Sequence, residues 1–306
     1  MNDFPLIDIH THALPPRIAP AAFHAMQGNC HTALFADGTE QGLREAERRA
    51  GVDLAVIQPV ATNPVKVGHM NDHVIALNRD GVETGLISFG AMHPACAEWE
   101  AELERLKAEG VPGVKLHPPY AGIDIDDPRS VAILRKCRDL GLIVLIHSGW
   151  DIGIPGSEAS LPVKIRRALD RTGPMRFIAA HMGGWDCWQE AMAYLPETGI
   201  CLDTSFSLGV LTPAGDGYPW EESGLRLLGE EAFLGMIEAF GPDHILFGTD
   251  CPWADPEDQL KQLEQLRLSR EERKMILGGN AARLLASAGC RAEGVRFAAS
   301  AEGRPS

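Results

Sequence analysis

Short apolar segments that end in a histidine or an aspartate recur along this 306-residue chain. The segments before His10, His117, His147, His181 and Asp250 are rich in aliphatic and aromatic residues. Such runs are typical of buried parallel strands, and function in these folds gathers at the carboxyl ends of the strands. Burying unpaired ionisable side chains there is costly, and a bound metal ion offsets that cost. The pattern therefore predicts a metalloenzyme.

The apolar runs also indicate the fold, because amphipathic helical stretches separate most of them. Eight strand-like runs are visible, at about 4–10, 53–60, 84–92, 112–117, 142–147, 176–181, 199–204 and 244–250. Alternating strands and helices predict a parallel sheet with right-handed crossovers. Eight such units fit a closed barrel better than an open sheet, and no G-x-G-x-x-G follows an early strand. We predict an α/β protein, a distorted (β/α)8 TIM barrel forming a single domain over residues 1–288, with a flexible tail at 289–306.

Composition restricts the class of partner. The chain is 45% hydrophobic and 23% charged, as expected of a globular protein with a full core. Its formal net charge of −14 disfavours nucleic acid and acidic membrane surfaces as partners. No apolar stretch approaches a membrane span, no signal peptide is visible, and the seven cysteines form no C-x-x-C pair. We therefore expect a cytoplasmic protein with reduced thiols that acts on a small molecule.

Two connections are longer than the others, residues 13–40 and 205–229, and both contain several proline and glycine residues. Unusually long barrel loops are typically lids or substrate-binding walls, so we expect these segments to select the substrate. Three tryptophans lie three or four positions after the residues that end the apolar segments: Trp150 follows His147, Trp185 follows His181 and Trp253 follows Asp250. They either wall an apolar pocket or pack against the loops.

The spacing of two histidines suggests how a metal is held. His10 and His12 lie two residues apart, so at an extended strand end both imidazoles project from the same face. His147 and Asp250 are the natural remaining ligands, and the four residues leave a position for water, as in catalytic zinc sites. Such a metal lowers the pKa of bound water to roughly 7, and Asp250 can accept a proton from that water.

Three further residues have open roles. His181 begins a His-Met-Gly-Gly segment, and we predict a general acid/base beside the metal, with ligation of a second metal as the alternative. Lys115 and His117 share one strand face, where a lysine is costly unless it is paired, modified or catalytic. Lys115 either binds a substrate carboxylate, carries a carboxyl group that bridges two metals, or forms a salt bridge to a buried acid. His117 either binds the substrate or serves as a bridging metal ligand together with Lys115, or it forms a hydrogen bond to a neighbouring loop.

These motifs in this order resemble the amidohydrolase superfamily, and within it the branch of aminocarboxymuconate-semialdehyde decarboxylase-like proteins. The motifs are Asp8–His12, Gly113–Pro118, Ile146–His147, His181–Gly184, Leu246–Pro252 and a closing helix at Ile276–Leu285. The resemblance spans about residues 4–287 and implies a metal-dependent TIM barrel.

By this resemblance His10, His12, His147 and Asp250 match the metal ligands, and His181 matches the catalytic histidine of the sixth strand. The resemblance implies one divalent ion, zinc by usual expectation, with manganese as an alternative. A carboxylated Lys115 would bridge two metal ions, so the site would then hold two ions instead of one.

Two reactions compete, and we place a hydrolase first: metal-activated water attacks the carbonyl of a small ester, lactone or amide. This order follows from Lys115 and from the lack of an identifiable arginine for a substrate carboxylate. The alternative is a lyase, a nonoxidative decarboxylase or hydratase of a small unsaturated or aromatic carboxylic acid. A noncatalytic metal-binding protein is disfavoured because the ligand set is intact. The sequence leaves open whether the protein forms a homodimer.

Overall fold

The computed structural model describes residues 4–215, 218–219 and 221–290, and parallel strands form its centre. The strands are β1 (Ile7–Thr11), β2 (Leu54–Ile57), β3 (Leu86–Ser88), β4 (Gly90–Ala91), β5 (Gly113–Leu116), β6 (Ile143–Ile146), β7 (Phe177–Ala179), β8 (Cys201–Asp203) and β9 (Ile245–Leu246). Each falls within or overlaps one of the eight predicted runs. The predicted tail lies outside the described residues from position 291 onward.

The strands close into a barrel. All pairs are parallel, in the orders β1-β2-β3 and β4 through β9. The third predicted run is divided at Phe89, whose N–H donates to the Ile57 carbonyl at 2.9 Å and so keeps the two parts in one wall. The Ile9 N–H donates to the Phe247 carbonyl at 3.0 Å and joins the last strand to the first. The predicted (β/α)8 barrel is confirmed.

Helices surround the strands. They are α1 (Ala19–Cys30), α2 (Glu40–Ala50), α3 (Val67–Asn78), α4 (Gly81–Thr84), α5 (Trp99–Ala108), α6 (Pro118–Ala121), α7 (Pro128–Leu140), α8 (Pro162–Thr172), α9 (Trp188–Tyr194), α10 (Glu230–Phe240), α11 (Pro256–Gln265), α12 (Arg270–Lys274) and α13 (Asn280–Ser287). Helix α7 shows the local signals clearly: Asp127 caps the Arg129 N–H, a proline opens the first turn, and Gly141 ends the helix at φ +67°. Among the described residues, no helix is both long and apolar enough to span a bilayer.

The core has two layers separated by the strands. On β6, Val144 and Ile146 pack with the surrounding helices, whereas Ile143 and Leu145 pack among residues of the other strands. Helix α13 joins the second group, and Gly278 beside it lies so close to the carbonyl of Pro5 that a Cβ would clash. Pro5 precedes β1, so α13 closes the barrel at the amino ends of the strands. The carboxyl ends remain free to form a site.

The two long connections differ from simple loops. Segment 13–40 contains α1, so its interpretation as loop throughout was wrong; the prolines stand before and at the first turn of that helix, where they are tolerated. Backbone bonds tie this segment to the other: the Ala33 N–H donates to the Thr212 carbonyl at 2.7 Å, and the Ala214 N–H to the His31 carbonyl at 2.9 Å. The two connections, which follow β1 and β8, are therefore joined to each other by main-chain hydrogen bonds.

Helix α2 buries an acidic residue. Glu47 is fully buried, and neither carboxyl oxygen has a hydrogen-bond partner among the described residues. Burial raises the pKa of Glu47 well above its usual range, and the neighbouring Asp8 raises it further. The pKa of Asp8 is itself raised to about 7, mainly by burial. Glu47 is therefore protonated in the folded protein.

This buried acid makes stability depend on pH. Glu47 is neutral when folded but ionises on unfolding, so the free energy of unfolding falls as the pH rises above the usual glutamate range. Glu47→Gln cannot ionise and should melt several degrees above wild type at about pH 8, yet close to wild type at about pH 4. Calorimetry at both pH values checks this, with the exposed Glu45→Gln on the same helix as control. Equal melting temperatures of Glu47→Gln and wild type at the higher pH would contradict it.

Candidate metal centre

Three of the predicted ligands meet where β1 and β9 end. Asp250 Oδ1 lies 3.0 Å from His12 Nε2 and 3.5 Å from His10 Nε2. The Asp250 N–H donates to the His10 carbonyl at 2.8 Å, which fixes the two strand ends against each other. Burial raises the pKa of Asp250, but the hydrogen bond from His12 and the other histidines nearby outweigh burial and bring it below its usual range. Asp250 is therefore an anion with an oxygen facing two imidazoles.

The other two histidines stand beside this group. His181 Nε2 lies 3.1 Å from His147 Nδ1, and the His181 ring centre is 5.2 Å from that of His10. His181 and the following Met182 both have positive φ angles, +58° and +52°, which are uncommon outside glycine and concentrate at functional sites. The side chain of His147 contacts His181, the His117 ring and the Trp150 carbonyl rather than His10, His12 or Asp250, so its role as a ligand stays a prediction.

Two residues that the sequence analysis missed organise these imidazoles. Asp203 ends β8 and accepts from His10 Nδ1 at 2.9 Å, while its other oxygen accepts from the backbone N–H groups of His181 and Ser205. The Ser205 hydroxyl donates to Asp203 and lies 2.9 Å from His181 Nδ1. Burial raises the pKa of Asp203, but contact with His10 outweighs it and brings the value to about 2. Asp203 ends a predicted strand, as Asp250 does, and that position was the available signal.

Asp8 links the ends of β1 and β9 through hydrogen bonds. Its Oδ1 accepts from the His10 N–H at 3.0 Å and from the Thr249 N–H at 3.2 Å. Its Oδ2 accepts from the Thr249 hydroxyl at 2.5 Å. Because Thr249 precedes Asp250, this single side chain sets the spacing between the first and last strands of the site.

The hydrogen bonds fix which ring nitrogens carry protons. Burial lowers the pKa of His10 to about 4 and that of His181 to about 3, so both are neutral and each has one N–H and one lone pair. His10 Nδ1 faces the Asp203 carboxylate and His181 Nδ1 faces the Ser205 carbonyl at 3.0 Å, so both Nδ1 atoms are protonated. His147 Nε2 faces the Trp150 carbonyl at 2.9 Å and is protonated in the same way. The lone pairs therefore lie on His10 Nε2, His181 Nε2 and His147 Nδ1.

This arrangement fits a divalent metal ion. His147 Nδ1 and His181 Nε2 face each other at 3.1 Å with a lone pair on each and no proton between them, which is unfavourable unless a cation lies nearby. His10 presents its lone pair beside an ionised carboxylate, and its distal nitrogen binds another carboxylate, as in many metal-bound histidines. Donors of His10, His12 and Asp250 lie within 4.8 Å of one another, as do those of His10, His181 and Asp203.

Lys115 lies at the bottom of the same group. Its Nζ is 3.0 Å from His10 Nε2, and the side chain is fully buried. Burial lowers its pKa to about 8, although several carboxylates nearby oppose the shift. Among the described residues, no carboxylate lies within salt-bridge distance of Nζ, which removes the buried salt bridge from the three roles considered for Lys115.

His117 lies beside His147 and near Asp151 of the loop after β6, and its role stays a prediction. Its ring stacks on that of His147 with centres 4.5 Å apart, and its Nε2 is 3.4 Å from Asp151 Oδ2. Tyr120 packs edge-on against the other side of the ring at 4.7 Å. Asp151 follows β6 and also lies 3.6 Å from His147 Nε2, so it was a second carboxylate that the sequence analysis missed.

A closed parallel barrel with histidines and aspartates at the carboxyl ends of its strands defines a metal-dependent enzyme of the TIM-barrel class. A family model described as amidohydrolase matches residues 7–286, and the chain belongs to that family. The 2-amino-3-carboxymuconate-6-semialdehyde decarboxylase of Dictyostelium discoideum is 24% identical and aligns over 91% of each chain. The resemblance drawn from the motifs is thereby confirmed, and with it the expectation of a divalent metal.

Solved structures of two kinds of enzyme share the fold. A dihydroxybenzoic acid decarboxylase from Polaromonas sp. JS666, with manganese and the inhibitor 2-nitroresorcinol bound, has a TM-score of 0.65 at 16% identity, over 94% of this chain and 97% of that chain. A putative 2-pyrone-4,6-dicarboxylic acid hydrolase from Pseudomonas putida has a TM-score of 0.60 at 17% identity, over 94% and 99% of the respective chains.

Replacing Asp203 tests the hydrogen-bonding scheme. In Asp203→Asn an amide N–H₂ can face His10 Nδ1 and move the ring proton to Nε2, where it would block the lone pair. We expect metal affinity to fall roughly 10–100-fold, the usual effect of losing such a partner. Competition with a chromophoric chelator measures this, with the exposed Asp243→Asn as control. Wild-type affinity in Asp203→Asn would show that Asp203 does not set the His10 tautomer.

Proposed function

We propose that this enzyme is a metal-dependent nonoxidative decarboxylase of a small aromatic or unsaturated carboxylic acid. The proposal is carried by one combined observation. The chain has a compact group of His and Asp side chains, and it is similar to a decarboxylase over 91% of each chain. This reverses the order drawn from sequence, in which a hydrolase stood first. That order rested on Lys115 and on the lack of an identifiable arginine for a substrate carboxylate. A lysine whose contact is His10 Nε2 does not favour hydrolysis over decarboxylation.

The residues of the site suit such a reaction. His10, His12, His147 and Asp250 would hold the ion, which supplies positive charge for a substrate oxygen and for the charge that develops as carbon dioxide leaves. His181 Nε2, with its lone pair facing the site, can take up one proton from solvent and deliver it to the substrate carbon, which keeps the electron pair of the broken C–C bond as carbon dioxide leaves. Ser205 and Asp203 hold His181 in this orientation through its other nitrogen and its backbone. Burial of His10, His181 and Asp203 keeps bulk water from competing for that proton.

Hydrolysis of a lactone is the second candidate. It is supported by the similar fold of the 2-pyrone-4,6-dicarboxylic acid hydrolase. In that reaction Asp250 or His181 would accept a proton from the attacking water instead of delivering one to carbon. The same residues thus serve either reaction, and the substrate decides between them.

A direct assay separates the candidates. Purified protein loaded with zinc, or in parallel with manganese, is incubated with dihydroxybenzoates and 2-amino-3-carboxymuconate-6-semialdehyde, and carbon dioxide release is measured. Hydrolysis of 2-pyrone-4,6-dicarboxylate and of simple esters is followed in the same preparation, with chelator-treated protein as the blank. The proposal requires metal-dependent carbon dioxide release; lactone hydrolysis without any carbon dioxide release would overturn it in favour of the second candidate.

Several properties follow as proposals of the same kind. We propose one zinc ion per chain, with manganese as the alternative because a structure of similar fold carries it. The substrate is a small molecule, and neither nucleic acid nor a membrane is a partner. All seven cysteines are free, which supports the proposed location in the reducing cytoplasm. Whether the protein is a homodimer is decided by its mass in solution.

A further inference from the structure

A hydrogen bond joins Lys115 and His10 inside the barrel. Lys115 Nζ lies 3.0 Å from His10 Nε2, and both side chains are fully buried. His10 Nδ1 lies 2.9 Å from the Asp203 carboxylate and carries the ring proton, so the lone pair is on Nε2. A lysine has only donors, so Lys115 Nζ donates and His10 Nε2 accepts.

This bond uses the lone pair that a metal ion on His10 requires. His10 is a predicted ligand, and Nε2 is its one nitrogen without a proton, 3.5 Å from Asp250 Oδ1. A single lone pair holds either a hydrogen-bond donor or a metal ion. Lys115 in this position and a metal ion on His10 therefore exclude each other.

Lys115 depends on this one acceptor. Among the residues that the structure describes, its Nζ makes a single hydrogen bond, to His10 Nε2, and no salt bridge. Val114 and Leu116 pack outward with the helices, so Lys115 between them projects into the barrel. A buried amino group that loses its acceptor is costly to the fold unless another acceptor replaces it.

Gln58 offers such a replacement. Its Oε1 is buried and has no hydrogen-bond partner among the described residues, whereas its Nε2 donates to the Ile9 carbonyl at 2.8 Å. Leu54 and Val56 of β2 belong to the inner core, so the same alternation points Gln58 into the barrel. Because β3 and β4 form one wall, β2 and β5 are the second and fourth strands, and side chains from alternate strands share layers of a barrel interior.

We propose that Lys115 competes with the metal ion for His10 Nε2 and moves to Gln58 Oε1 when the ion binds. Without metal, the bond from Lys115 holds the His10 ring in place. On loading, this bond must break, so the site binds metal more weakly than its His and Asp ligands alone would. The inference requires the ion but neither of the two reactions, and so goes beyond the proposed function.

The zinc affinity of Lys115→Met tests the competition. Methionine has a similar volume and no N–H, so the His10 lone pair has no competing donor. We expect Lys115→Met to bind zinc roughly 10–100-fold more tightly than wild type, the range expected when a hydrogen bond to a charged group no longer has to be broken. Competition with a chromophoric chelator measures both affinities.

A second lysine variant is the matched control. Lys107 Nζ donates to the Ala288 carbonyl at 3.3 Å, just beyond α13 at the amino ends of the strands. Lys107→Met removes the same charge and should bind zinc as wild type does. If Lys115 carried a carboxyl group that bridges two ions, Lys115→Met would bind zinc more weakly than wild type. If Lys115 only bound a substrate carboxylate, the affinity would be unchanged, and either result would overturn the inference.

Crystal structures of the wild type test the movement, and they decide alone if Lys115→Met does not fold. In chelator-treated protein, Lys115 Nζ should lie at His10 Nε2. In zinc-loaded protein, it should lie within hydrogen-bond distance of Gln58 Oε1. A zinc ion bound with the Lys115–His10 bond intact would overturn the competition, and a displaced Nζ that bonds another acceptor would overturn the role of Gln58.

The competition fails separately from the proposed function. Tighter zinc binding by Lys115→Met, in a protein that releases no carbon dioxide, supports the competition and overturns the decarboxylase. Metal-dependent carbon dioxide release by wild type, with equal or weaker zinc binding by Lys115→Met, overturns the competition and leaves the decarboxylase.

Discussion

His181→Ala should lose turnover by roughly 10²–10⁴-fold, the usual range for a general acid/base, while one metal ion stays bound per chain. In the structure His181 Nε2 carries a lone pair towards the site, and its Nδ1 is held by Ser205. Alanine removes the group that moves the proton but leaves His10, His12, His147 and Asp250 in place. Steady-state rates and elemental analysis of the same preparation measure the two quantities together.

A control at the other end of the barrel makes this result specific. His244 stands at the amino end of β9, opposite the carboxyl ends where the site lies, and contacts the Ile200 carbonyl through Nδ1 at 3.0 Å. His244→Ala should keep both its rate and its metal. Near-normal turnover in His181→Ala would refute the acid/base role, and loss of the metal in that variant would show that His181 is a ligand instead.

His147→Ala should lose most of its metal and, with it, all activity. His147 offers a lone pair at Nδ1, because its Nε2 donates to the Trp150 carbonyl and stands near Asp151. Removing it takes one of the three predicted nitrogen ligands and leaves two nitrogens and one oxygen of the predicted set, one donor fewer than a catalytic site of three protein nitrogens and an oxygen. Metal content after dialysis against metal-free buffer measures the effect.

His117→Ala is the matched control for this prediction. The His117 ring stacks on His147, so its loss perturbs the same region, but its other contacts are with Asp151 and Tyr120. We expect His117→Ala to retain one ion. Full metal occupancy in His147→Ala would remove this residue from the ligand set and leave His10, His12 and Asp250 as the centre.

The barrel was predictable because its strands are buried on both faces and read as continuous apolar runs. The closeness of His10 and His12 to Asp250 was predictable for the same reason, since the first and last strands of a closed barrel are neighbours. The break at Phe89 was not visible, because strand pairing is decided by neighbours distant in sequence. Helix α1 was missed since its prolines, which suggest a loop, stand only before it and in its first turn.

The residues that support the site were harder to find than those at its centre. Asp203 and Ser205 act through hydrogen bonds to histidines that lie far away in the chain, and Asp151 lies 3.6 Å from His147 across a turn. A short polar residue at a strand end is also common in turns, so type and position alone do not separate the two roles. The hydrogen bond between Lys115 and His10 joins strands that lie far apart in the chain and has no sequence signature.

The bonds that join the Ala33 and Thr212 backbones have a consequence for kinetics. Because main-chain hydrogen bonds join the two segments, we expect them to move together as one gate when a ligand enters or leaves the site. We expect this movement to limit the steady-state rate through product escape, as lid opening does in many enzymes. A pre-steady-state burst followed by a slower, viscosity-dependent phase would be the mark of such a gate.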